Sequence, residues 1–79
     1  MNDKFVELLM AYMTDEGYFV HYTQPKITGY KRTLEGWEVS YVSTQYGEDR
    51  YNEVSSNIDF EKLFGWMWSN INELNQIRN

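Results

Sequence analysis

The chain has no cysteine, so a disulfide framework and thiolate metal sites are excluded. It has a single histidine, His21, and no Gly-x-Ser-x-Gly elbow to present a serine to it, so nothing points to a nucleophile–histidine–acid triad. An imidazole metal site would need at least two further convergent ligands, and none stands four residues from His21 on either side. The five glycines are dispersed, and none sits in a phosphate-binding loop pattern. No apolar run approaches the about 20 residues of a membrane span. Met1-Asn2-Asp3 opens the chain without the basic, apolar and small-residue regions of a signal peptide. No repeat, low-complexity tract or linker interrupts it. These absences predict one domain with no catalytic centre and no cofactor, soluble and cytoplasmic, with no role at a membrane.

What is present is acidic and aromatic. The 79 residues carry a net charge of −5, which weighs against a general phosphate-backbone binder. The charge is uneven: from His21 to Leu34 there are Lys26, Lys31 and Arg32 and no acid. Three tryptophans, seven tyrosines and four phenylalanines make 18% of the chain aromatic. A core this small cannot hide them all, because a chain of about this size buries only some 60% of its unfolded surface.

The last stretch, Asp59 to about Ile77, carries the strongest periodicity. Phe60, Leu63, Phe64, Met67, Ile71 and Leu74 recur at steps of three and four, which predicts a helix burying one stripe. Asp59 suits its N-cap, and Ile58 with Leu63 suits a hydrophobic staple. A first helix is expected over residues 3–16, capped by Asp3 and ended by Gly17 in the left-handed position. Phe5, Leu8, Leu9, Tyr12 and Met13 mark its stripe. From Gly17 the period shifts towards two. Tyr18 to Thr23 reads as a strand, Gln24-Pro25 as a turn, and Ile27 to Arg32 as a weaker strand or loop. Leu34-Glu35-Gly36 is the next break. Trp37, Val39 and Tyr41 alternate with Glu38 and Ser40, a half-buried strand that Val42 marks as central. Arg50 to Ser56 pairs back on it across the polar loop Tyr46-Gly47-Glu48-Asp49. The expected fold is α+β: an N-terminal helix, a three- to four-stranded antiparallel sheet, and a C-terminal helix packed on the same sheet face.

Four features are candidates for function. The carboxylate pairs Asp15/Glu16 and Glu48/Asp49 fall at element ends, where acids are solvated, and read as surface rather than glycosidase-like chemistry. Tyr22, Lys26, Tyr30, Lys31 and Arg32 interleave rings with cations, the mixture that binds single-stranded nucleic acid; the plainer reading is a basic loop balanced by nearby acids. Glu35, Glu38, Glu48, Asp49 and Glu53 crowd the second hairpin, suited to docking on a basic surface or simply to a solvated acidic one. Trp66 points off the terminal-helix stripe, on the side of Glu73 and Ile77. It is either an interface anchor or covered by the first helix.

The hairpin Trp37-Glu38-Val39-Ser40-Tyr41 to Tyr51-Asn52-Glu53-Val54, running into Asp59-Phe60-Glu61-Lys62-Leu63-Phe64, resembles small phage-encoded inhibitors of host defence, including some anti-CRISPR proteins. The likeness is one of architecture and composition and carries no specific motif. It implies blocking a partner without chemistry, in the host cytoplasm. The basic segment Lys26 to Arg32 departs from what a pure nucleic-acid mimic would carry. The expectation is therefore a non-catalytic inhibitor of a larger protein or nucleoprotein, docking through Glu48, Asp49 and Glu53 with Tyr46 and Trp66 as anchors. The alternative is a single-strand nucleic-acid binder using Tyr22, Lys26, Tyr30, Lys31 and Arg32. A homodimer through Trp66 and Ile77 is a further expectation.

Overall fold

The structure, a computed structural model, describes residues 3–45 and 51–71. The chain is α+β: α1 (Lys4–Asp15), β1 (Tyr22–Arg32), β2 (Gly36–Gln45), β3 (Tyr51–Asp59) and α2 (Phe60–Ser69). The three strands form one antiparallel sheet in the order β1-β2-β3, with β2 central. The Tyr46-Gly47-Glu48-Asp49 loop lies outside the described residues, as do Glu73, Leu74 and Ile77.

Both helices begin where their caps predict. Asp3 Oδ1 accepts from the backbone N–H groups of Phe5 and Val6, at 2.9 and 3.3 Å. Asp59 Oδ1 accepts from those of Glu61 and Lys62, at 2.8 and 3.4 Å. Each cap satisfies two donors that the first turn leaves free. The end of α1 is a Schellman motif: Tyr18 N–H donates to Met13 O and Gly17 N–H to Thr14 O. Gly17 has φ +80°, and the hydrophobic contact of the motif is Tyr18 against Tyr12, centroids 5.9 Å apart.

The stretch after Gly17 departs from expectation. Residues 16–21 are turn, and only Tyr22 and Thr23 of the expected first strand enter the sheet. Gln24-Pro25 is not a turn between two strands. It is a bulge inside one 11-residue strand: the pairing with β2 slips between Thr23 and Lys26, with Gln24 at φ 50°. Ser43 stands opposite the bulge, fully buried, and its Oγ donates to the Thr23 carbonyl at 2.6 Å. A second slip falls between Ile27 and Gly29. Each bulge reverses the in–out alternation beyond it.

Leu9, Tyr12 and Met13 of α1, Phe19, then Ile27, Val39, Tyr41 and Ile58 of the sheet, and Leu63 and Trp66 of α2 form the core. It lies between the helices and one sheet face. The other face is open and polar, carrying Lys26, Lys31, Glu38, Ser40, Glu53, Ser55 and Asn57, with Val42 in its centre. At the closed end, Phe60 N–H donates to Glu35 O, joining the β1–β2 turn to the start of α2. Gly36 has no room for a side chain there, because a Cβ would run into the Ile58 carbonyl.

Candidate functional site

The apolar residues of α2 exceed what one packing face can take. At about 100° per residue, Trp66, Leu63, Met67, Phe60, Phe64 and Trp68 sweep an arc of about 200°. What fixes the rotation of the helix is Trp66. Its ring packs edge-on against Tyr12, centroids 5.6 Å apart, and its indole N–H donates to Asp15 Oδ2 at 2.7 Å. Asn70 Nδ2 donates back to the Trp66 carbonyl at 2.8 Å. Of the two expectations for Trp66, exposed anchor or residue covered by the first helix, the structure shows the second, with Trp66 6% exposed; Trp68, two residues on, is 82% exposed. The first helix covers Trp66, and the acid in the last turn of α1 gives the indole its partner. The rest of the arc is left outside. Phe64 is 55% exposed and Ile71 54%, although the periodicity predicts both as core. With half-buried Met67 they line a shallow apolar groove.

This strip is tied into the domain at its N-terminal end. Phe60 and Phe64 stack with centroids 6.1 Å apart, and Trp37 meets Phe60 edge-on at 4.8 Å. The Arg32 guanidinium lies 4.6 Å above the Phe60 ring and 5.9 Å from that of Trp37, within cation–π range. Phe5 packs on Trp37 at 5.0 Å and on Tyr30 at 4.8 Å. A continuous aromatic run thus passes from Tyr30 through Phe5, Trp37 and Phe60 to Phe64, then along α2 to Trp68 and Ile71. The exposed Arg32 lies over the middle of this run, on Trp37 and Phe60.

The residues of the nucleic-acid reading are not brought together. The second bulge turns Tyr30 and Arg32 to the helix side of the sheet, while Lys26 and Lys31 face out on the open side. Tyr30 donates its hydroxyl to Asp3 Oδ2 at 3.1 Å, and that hydrogen bond is the main cause that raises its pKa. Tyr22 is half-buried, edge-on to Tyr41. Lys31 Nζ pairs with Glu38 across the strands at 3.2 Å. No stacking platform flanked by cations results.

Of the acidic docking residues, Glu53 is the one described, and it lies away from Trp66. Glu53 is exposed on the open sheet face, on the other side of the sheet from the helices; Tyr46, Glu48 and Asp49 lie outside the described residues. His21 is exposed in the turn before β1 rather than in a strand. Asp15 of the Asp15/Glu16 pair is taken up by the Trp66 indole. No group of three or more His, Asp or Glu among the described residues is placed to hold a metal ion, and no helix there is long and apolar enough to cross a membrane. The cleft at the closed end, between Thr33 and Ile58, contains Asp59, whose Oδ1 is occupied as the α2 cap.

Reading α2 by its apolar spacing alone merges two faces into one stripe. The signal that separates them is present but not local: an aromatic at Trp66 with a hydrogen-bonding nitrogen, and an acid 51 residues away. Comparison of the chain with protein-family models, with curated proteins and with solved structures finds no match, so the functional reading rests on this surface.

Proposed function

We propose that this protein acts by binding rather than by chemistry, seating the outer face of α2 in an apolar groove on a larger protein and so blocking what that groove otherwise receives. The observation that carries the reading is the exposure of Phe64, Trp68 and Ile71 beside Met67. Phe64, Met67 and Trp68 are positions i, i+3 and i+4 of α2, the spacing by which a helix presents anchors to a groove, and Ile71 adds to the same groove just past the Asn70 C-cap. Large apolar side chains held out in water by a folded scaffold cost little ordering on binding, and tryptophan is the commonest hot spot. Arg32 at the end of the strip favours a groove with a carboxylate at the matching end. The net charge of −5 favours a partner that is basic around the groove, where it speeds encounter. Inhibition of a defence system, as in the proteins the architecture resembles, is one setting for such a mode of action.

The test is a paired capture from nuclease-treated host lysate, using the tagged wild type and the double substitution Phe64→Glu/Trp68→Glu. The proposal expects a stoichiometric protein retained at high salt by the wild type and lost by the variant, with the far-ultraviolet circular dichroism of the two chains alike. Losing a central tryptophan anchor removes about 2 kcal/mol or more, on the order of 30-fold in affinity. Equal capture by both chains, or capture that vanishes with nuclease or with neutralised Lys26 and Lys31, would overturn it.

A further inference from the structure

The two edges of the sheet are not alike. β1 is defended against pairing with another strand: it carries Pro25, two bulges, and Lys26 and Lys31. β3 has none of these devices. It pairs with β2 over nine consecutive residues, Tyr51 to Asp59, without a register slip, and contains no proline, lysine or arginine. Its centre is Ser55, Ser56 and Asn57, small side chains that let another backbone approach. Glu53, Ser55 and Asn57 are exposed on the open face. Among the described residues no further strand lies beyond β3.

We propose that the free edge of β3 pairs antiparallel with β3 of a second copy of this chain, about a two-fold axis at Ser55, giving one continuous six-stranded sheet. The argument for a second copy is that the strand is complementary to itself in this register. A two-fold at Ser55 sets Glu53 opposite Asn57 of the other copy, and Val54 opposite Ser56. No like charges face each other, although the chain as a whole carries −5. A strand paired about a two-fold satisfies its free backbone groups on both copies at once. The axis stands normal to the sheet, so both copies keep their helices on the same face and the open polar face continues across the dimer. This surface is a different element from the α2 strip, and the inference stands without the docking reading.

Sedimentation equilibrium on the full chain tests it, with the charge at position 57 changed in both directions. The expected result is a reversible species of twice the 9.5 kDa chain mass. Asn57→Lys should tighten it, by opposing Glu53 of the other copy twice per dimer. Asn57→Glu should weaken it, each change being about three- to tenfold. Ser55→Lys, which brings two lysines together at the axis, should dissociate it while circular dichroism and Tm hold. Amide exchange at 53–57 should slow as concentration rises. A wild type that stays monomeric overturns the proposal. So does a dimer that treats the two Asn57 variants alike, or one that dissociates on Trp68→Glu and ignores Ser55→Lys. A monomer that still loses its captured protein on Phe64→Glu/Trp68→Glu would remove this inference and leave the docking reading standing.

Discussion

Among the described residues Ser43 is the one buried polar side chain of the core, and its partner explains why it is there. Opposite the bulge at Gln24-Pro25, the Ser43 hydroxyl donates to the Thr23 carbonyl at 2.6 Å. Ser43→Ala keeps the volume nearly unchanged but leaves that carbonyl short of a donor. It should lower stability by about 1–3 kcal/mol, the cost of an unsatisfied buried group, read as a lower urea midpoint with an unchanged slope. Gly36 is constrained in a different way. Its Cα lies so close to the Ile58 carbonyl that Gly36→Ala must push β2 away from the β3–α2 junction. That substitution should cost about 3 kcal/mol or more, at the upper end for single changes. Gly65, with open space around its missing Cβ, is the control: Gly65→Ala should stabilise α2 by up to about 1 kcal/mol.

At the scale of the element, α2 carries two tryptophans two residues apart with opposite fates. Trp66→Ala opens a cavity against Tyr12 and removes the hydrogen bond to Asp15, so it should cost about 3–5 kcal/mol. Trp68→Ala should stay within about 0.5 kcal/mol of the wild type, as for a surface site. Chemical denaturation of the two variants separates them, and iodide quenching of the tryptophan fluorescence should fall most when Trp68 is the one removed. The reverse order would mean that α2 is turned about its axis and that the exposed strip is wrongly placed. Trp68 adds little to folding because it stays in water, and Phe64 and Ile71 leave about half of their surface there. Retaining Phe64, Trp68 and Ile71 there therefore makes better sense as binding than as packing.

At the scale of the molecule, stability should decline at alkaline pH by a route that passes through the core. Burial, helped by its hydrogen bond to Tyr18, pushes the Tyr12 phenol from 10.0 up to about 12. The unfolded chain gives up this proton first, from about pH 10, while the folded chain holds it. The contribution is therefore fully present below pH 10 and is lost as pH rises through about 12. Urea midpoints followed from about pH 9 to about pH 12 should fall more steeply for the wild type than for Tyr12→Phe. Parallel curves would mean that Tyr12 is not the group responsible. Tyr30, raised by its hydrogen bond to Asp3, acts in the same direction, but from an exposed site.

The features legible in the amino-acid order are those whose causes lie within a few residues. Asp3 and Asp59 cap because the donors they satisfy are two and three positions ahead, and Gly17 ends α1 because the left-handed turn is made there. The alternation at Trp37, Val39 and Tyr41 identifies β2, and the order of helix, antiparallel strands and helix follows from these local signals. What the tertiary structure alone decided is orientation. Whether Gln24-Pro25 turns the chain or bulges it depends on β2 being present to pair with both sides. The bulge at residue 28 then sends Tyr30 and Arg32 to one face and Lys26 and Lys31 to the other, dispersing a segment that looks unified when read in order. The rotation of α2 depends on Tyr12 and Asp15, more than fifty residues before Trp66. An apolar arc of about 200° is compatible with several rotations, so periodicity predicts a helix but cannot choose which of its residues remain outside.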